Sequence, residues 1–127
     1  MSLTVLIVDA SRLQRRVQEI AVAKAGYSVI CALDGEEGLR LAREKSPDII
    51  ILDMMLPKIS GPDLLHALKQ DSRTASIPVI VLSALSRRNA DKLLGDGASA
   101  YLEKSEVAED DGARVLIAKI ASVLHPA

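Results

Sequence analysis

Four polar residues close four separate apolar runs in this chain. Asp9 follows Leu6-Ile7-Val8, Asp53 follows Ile49-Ile50-Ile51-Leu52, Ser83 follows Val79-Ile80-Val81-Leu82, and Lys104 stands just past Ala100-Tyr101-Leu102. Aliphatic runs this short read as strands buried on both faces of a parallel sheet. Open α/β folds place their chemistry at the carboxyl edge of such a sheet. Two carboxylates, a hydroxyl and an ammonium gathered at one edge would make a small anion site able to hold a hard cation. Mg²⁺ takes oxygen ligands, keeps several waters, and is bound through one or two carboxylates plus a phosphate. An Asp carboxylate can also act as a nucleophile and form an aspartyl-phosphate. In such a step the metal and Lys104 would offset phosphoryl charge, and Ser83 would hydrogen-bond a phosphoryl oxygen.

The elements that must position these residues alternate along the chain. Residues 3–8 read as a first strand and 11–25 as a helix stopped by Gly26. Leu13, Val17, Ile20, Ala21 and Lys24 share one face of that helix, mostly apolar, as an inward face would be. Residues 27–32 read as a second strand. Asp34 with Glu37 then caps a second helix running to about Lys45. Strand three is 49–52. Gly61-Pro62-Asp63 opens a third helix, with proline and a carboxylate suited to its first turn, and Leu64, Leu65 and Leu68 are its buried face. Strand four is 79–82, a short helix covers about 87–94, strand five is 100–102, and a last helix covers about 113–124. That last helix is expected to bury Leu116, Ile120, Val123 and Leu124. Five such units in series predict an α/β, doubly wound, five-stranded parallel sheet with helices on both faces. All loops that follow strands then share one edge, and Asp9, Asp53, Ser83 and Lys104 meet there.

Composition narrows the function classes. The chain has 127 residues, 49% of them hydrophobic, enough for one domain over 1–127 with an aliphatic core. Its net charge of −1 favours neither nucleic acid nor an anionic membrane. There is no Phe or Trp, so base-stacking platforms are missing. Cys31 is alone, which excludes an internal disulfide and fits a reducing cytosol. The first apolar run is too short for a membrane span and lacks the marks of a signal peptide, so a cytoplasmic protein is expected.

The ordered pieces Val8-Asp9, Asp53 with Pro57 and Gly61, Ser83-Ala84, Gly97-Ala98, and Tyr101 with Lys104 together resemble the receiver domain of two-component response regulators. The resemblance covers nearly the whole chain and implies the flavodoxin-like strand order 2-1-3-4-5 with five helices. It implies that Asp53 accepts a phosphoryl group from a phosphohistidine on a sensor histidine kinase or histidine phosphotransfer protein. Asp9, Asp53 and the backbone carbonyl of Met55 would hold Mg²⁺. Ser83 would move toward the phosphate, Tyr101 would change rotamer with it, and Lys104 would pair with Asp53 at rest and the phosphate afterwards. The partner downstream is then a protein target or a C-terminal output domain beyond this sequence.

Three departures from that pattern stand out. Receivers carry two adjacent acids after the first strand, and here the second position is Ala10; one carboxylate fewer should weaken Mg²⁺ binding. The domain either phosphorylates with poorer metal affinity or is a pseudo-receiver that works by binding alone. Ser105 stands where a proline normally follows the lysine, and a non-proline cis bond costs about 3 kcal/mol, so a trans bond is expected. The spacing from Ser83 to Lys104 is short, which predicts a trimmed or displaced fourth helix and puts a dimer through the fourth and fifth helices in doubt.

Blander readings accompany the sharp ones. Arg12, Arg15 and Arg16 read as a solvated basic edge, with docking of a phosphodonor as the functional alternative. The acidic 106–112 stretch reads as a solvated loop and helix cap. His66 with Lys69 imitates a phosphotransfer histidine, but five strand runs argue against a helix bundle. A haloacid-dehalogenase-like enzyme would need an acid where Met55 stands, and a flavin carrier would need a phosphate-cradling loop that 9–12 does not supply.

Overall fold

A computed structural model describes residues 3–83, 90–104 and 112–125. Its strands are β1 (Thr4–Val8), β2 (Ser28–Ala32), β3 (Ile49–Asp53), β4 (Val79–Ser83) and β5 (Ala100–Glu103). Its helices are α1 (Arg12–Lys24), α2 (Gly35–Lys45), α3 (Gly61–Gln70), α4 (Ala90–Gly95) and α5 (Gly112–Leu124). The strands pair in parallel, as the alternation predicts, and in the order β2-β1-β3-β4-β5 that the family resemblance implies.

The sheet's period of two divides its side chains between two cores. Leu6, Val8, Ile50, Leu52, Val79, Val81 and Tyr101 face one side, where Ala42 of α2, Leu64, Leu65 and Leu68 of α3 and Leu93 of α4 cover them. Val5, Ile7, Ile49, Ile51, Ile80, Leu82 and Leu102 face the other, under Val22 of α1 and Leu116 and Ile120 of α5. Every residue of β3 and β4 is buried, which explains their unbroken aliphatic composition. Val123 and Leu124 pack only at the margin of the second core.

Local signals set the helix ends. Ser11, Asp34 and Ser60 are the N-caps of α1, α2 and α3, each accepting the backbone N–H three residues on. Asp34 Oδ1 accepts from Glu37 N at 2.8 Å, and Glu37 Oε1 accepts in return from Leu33 N, one residue before the cap. Gly26 ends the α1 turn at φ 100°, a conformation glycine adopts without strain.

The inward face of α1 corrects the sequence reading. Leu13, Val17 and Ile20 are 75%, 52% and 48% exposed, while Gln18 and Val22 are buried. The helix is rotated from its apolar stripe because its N-terminal half lies over the polar edge of the sheet. There the amide of Gln18 and the guanidinium of Arg15 find partners on Asp9. His66 is exposed on α3. The starting turn of the fourth helix, the Lys104–Ser105 bond, Arg87, Arg88 and most of the 106–112 stretch lie outside the described residues.

Gly61 fixes the approach of α3 to the end of β3. A Cβ there would stand 2.4 Å from Met54 Cα and 2.7 Å from Met54 O, and Gly61 N donates to that same oxygen at 3.1 Å. The obstacle is backbone, which a rotamer change cannot clear. Gly61→Ala is expected to lose ~2 kcal/mol of stability through overpacking, which lowers the melting temperature by roughly 6 °C for a domain of this size. Thermal denaturation followed by circular dichroism checks this, and an unshifted melt would contradict it.

Candidate functional site

The site grows from register. Val8 pairs with Leu52 across β1 and β3, so the residues that follow, Asp9 and Asp53, emerge side by side at the carboxyl edge. Asp53 in turn pairs with Leu82, which places Ser83 beyond it, and Ser83 pairs with Glu103, next to Lys104. Three strand pairings therefore bring together four residues separated by up to ninety-five positions in the chain.

Both carboxylates are buried, Asp9 at 1% and Asp53 at 3% exposure. Asp53 Oδ2 accepts from Lys104 Nζ at 2.6 Å, and its Oδ1 accepts from the backbone N–H of Met55 at 3.0 Å. The ion pair is well shielded on the Asp53 side and opens to water on the lysine side. Asp9 Oδ1 accepts from Ser11 N at 2.8 Å and its Oδ2 from Gln18 Nε2 at 3.2 Å. Among the described residues each of the four carboxylate oxygens thus has a donor. Ser83 is buried at the end of β4, and the Tyr101 ring is buried against the first core. Met55 turns its side chain to solvent while its backbone is tied to Asp53.

Burial raises the Asp9 carboxyl above its ordinary value; the Ser11 N–H opposes this, and the neighbouring Asp53 carboxylate adds to it. Lys104 offsets part of the effect. Two acids within reach of one another and of one ammonium leave an excess of negative charge suited to a cation. Asp9, Asp53 and the backbone carbonyl of Met55 are the residues that would hold Mg²⁺ here, an ion that takes oxygen ligands and retains waters. Among the described residues no group of three or more His, Cys, Asp or Glu side chains is placed to hold a metal, and Ala10 contributes no functional group.

Sequence reasoning missed the contribution of α1. Gln14 Oε1 accepts from Lys104 Nζ at 3.1 Å, Gln18 reaches Asp9, and Arg15 donates to the Asp9 carbonyl at 2.9 Å. Gln14 and Gln18 are one helical turn apart, directly after a strand-end carboxylate. That spacing was the available signal; the apolar stripe of the same helix concealed it. Among the described residues the oxygen Oε1 of Gln18 is the buried side-chain atom with no partner. Cys31 plays no part at this edge, and burial beside Glu19 pushes its thiol up to about 11. Among the described residues no helix is long and apolar enough to cross a membrane.

A doubly wound parallel sheet with a buried carboxylate pair and an ammonium at its carboxyl edge places this chain among the α/β proteins whose chemistry sits at that edge. The comparison with known proteins is narrower. The model of the response regulator receiver domain matches residues 5–115, and the chain belongs to that family. The DNA-binding dual master transcriptional regulator RpaA of Synechocystis sp. is 42% identical over 113 residues, covering 87% of this chain and 46% of that protein. The polar-differentiation response regulator DivK of Brucella ovis is 33% identical over 105 residues, covering 82% of this chain and 85% of that one. Among solved structures, the receiver domain of Francisella response regulator 1452 superposes with a TM-score of 0.87 at 28% identity, covering 97% of each chain. The chemotaxis protein CheY4 of Vibrio cholerae gives 0.87 at 26% identity, over 98% of this chain and 100% of that one. The chain spans less than half the length of three curated relatives it matches, 46%, 39% and 48%. Receiver domains of this family are phosphoryl-accepting switches of two-component signalling, and they generally bind Mg²⁺ at an acidic pocket.

The raised Asp9 carboxyl has a consequence for stability. A group whose folded-state value lies above its unfolded value contributes stability below the unfolded value, near 3.8, and loses it as pH rises through the folded value. At neutral pH the ionised Asp9 therefore destabilises the native state relative to a neutral side chain. Asp9→Asn is expected to melt higher than wild type at pH 7, with the difference shrinking toward zero below pH 3.8. A turned Gln18 amide would then give its orphaned oxygen a donor. Melting curves of both proteins across that range check this; a lower melt for the variant at pH 7 would contradict it.

Proposed function

We propose that this chain is a phosphorylatable receiver in which Asp53 is the phosphoacceptor. The observation that carries this reading is the 2.6 Å contact between Lys104 Nζ and the buried Asp53 Oδ2, beside a second buried carboxylate on Asp9. An Asp53 oxygen attacks the phosphorus of a phosphohistidine on a sensor histidine kinase or phosphotransfer protein. The P–N bond breaks, its electron pair stays on the imidazole nitrogen, and Asp53 becomes an acyl phosphate. Lys104 meets the charge on the transferred group, and Ser83, buried on the adjacent strand, hydrogen-bonds one of its oxygens. Asp9, Asp53 and the Met55 carbonyl would hold Mg²⁺, which supplies further neutralisation of phosphoryl charge.

The switch reading follows from the same geometry. Tyr101 lies on β5, one residue before the partner of Leu82 and two before that of Ser83. Movement of Ser83 toward a phosphate would change the space available to the Tyr101 ring and so the β4–α4–β5 surface that a protein target or an output domain reads. The exposed stripe Leu13, Val17 and Ile20, with Ile117 of α5 beside it, fits the apolar side of a phosphodonor's helices, and Arg12 and Arg16 border it. Ala10 favours a second reading, a pseudo-receiver of the same fold that binds partners without being phosphorylated, because it removes a metal-binding acid.

Incubation with acetyl phosphate and Mg²⁺, followed by intact-mass measurement, separates the two. Wild type is expected to gain one phosphoryl group, and Asp53→Asn none. Ala10→Asp is expected to lower the half-saturating Mg²⁺ concentration by about tenfold or more, since one unit charge ~4 Å from a dication contributes about 2 kcal/mol even at the dielectric of water. An unmodified wild type beside a modified Ala10→Asp would establish the pseudo-receiver instead.

A further inference from the structure

Lys104 has a second acceptor that the receiver pattern did not point to. Its Nζ lies between Asp53 Oδ2 at 2.6 Å and Gln14 Oε1 at 3.1 Å. Gln14 is itself anchored, because its backbone N–H donates to the N-cap hydroxyl of Ser11 at 3.3 Å, and Ser11 N donates to Asp9 Oδ1 at 2.8 Å. The contacts form one polar circuit, Asp9–Ser11–Gln14–Lys104–Asp53, which ties the first turn of α1 to both buried carboxylates.

We propose that Gln14 is a positioning residue for Lys104, holding its ammonium at Asp53 before and after phosphoryl transfer; this rests on Asp53 being the phosphoacceptor. Transfer converts the Asp53 carboxylate into a neutral acyl group and places the charge on the phosphoryl oxygens. The main acceptor of Lys104 therefore changes during the reaction, whereas the Gln14 amide does not. A lysine on a flexible four-carbon stem, open to water on one side, gains order from that constant contact. An amide does this without adding charge. With Ala10 beside Asp9, the pocket contains two carboxylates against one ammonium, and a neutral acceptor leaves the Lys104–Asp53 pair uncontested. A carboxylate at position 14 would also hold the ammonium but would compete with Asp53 for it. Gln14 is exposed, and no packed core depends on it.

The test compares the full chain with Gln14→Met, which keeps length and helix preference but removes the acceptor, and with Gln14→Glu, which restores one. Proton exchange at the Lys104 ammonium is read by nitrogen-15 NMR, assigned against Lys104→Arg. Phosphorylation is read with acetyl phosphate at fixed Mg²⁺. In Gln14→Met the exchange is expected to accelerate and the second-order phosphorylation rate to fall roughly fivefold, the usual scale of one net hydrogen bond. In Gln14→Glu the exchange is expected to return toward the wild-type rate. A phosphorylating wild type whose Lys104 exchange is unchanged by Gln14→Met overturns the proposal alone, as does a rate loss without any change at Lys104. If wild type takes up no phosphate, the phosphoacceptor reading fails first and this proposal fails with it.

Discussion

The ion pair between Lys104 and Asp53 is the constraint around which the rest of the molecule is arranged. A carboxylate buried this completely loses the hydration that would stabilise its charge, and the protein must supply substitutes. It supplies an ammonium from beyond β5 and a backbone N–H from the loop after β3. Removing either strand's contribution would leave an uncompensated charge at the end of an aliphatic sheet. The order of β3, β4 and β5 is therefore tied to the electrostatics of one side chain.

That same burial makes the edge useful. A carboxylate held between an ammonium and a backbone N–H is fixed in place at the sheet edge. A second carboxylate alongside it, on Asp9, adds negative charge that costs stability in the absence of a cation. The domain thus holds at this edge an unfavourable interaction that a bound cation would relieve, a common way for a binding event to shift a two-state surface. The aliphatic body of the sheet, with two cores on two faces, provides the stability against which this local cost is set.

Helix α1 joins the site to the outer surface. One of its faces carries Gln14, Arg15 and Gln18 to Asp9 and Lys104. Another carries Leu13, Val17 and Ile20 into solvent beside α5. A helix turned to satisfy buried polar groups has to display its apolar residues, since 3.6 residues per turn cannot bury both faces against one sheet. Polar demand at the sheet edge outweighed apolar periodicity here, because an unpaired buried carboxylate costs more than a few exposed aliphatic side chains.

Much of the protein was legible from sequence because its signals are local. The short aliphatic runs, the capping residues Ser11 and Asp34, and Gly26 pointed to the five strands and to the first two helices to within a residue or two, and strand-end position alone gathered Asp9, Asp53, Ser83 and Lys104. The alternation of elements pointed to a parallel sheet with helices on both faces, and the resemblance to receiver domains supplied the strand order. The orientation of α1 was decided only in three dimensions. Its periodicity described an apolar face without saying what lay beneath, and the contacts of Gln14 with Lys104 and of Gln18 with Asp9 span ninety and nine residues. Sequence determined which groups reach the edge; tertiary packing decided which of their neighbours hold them there, because that depends on how a helix rolls over a surface and not on the order of its residues.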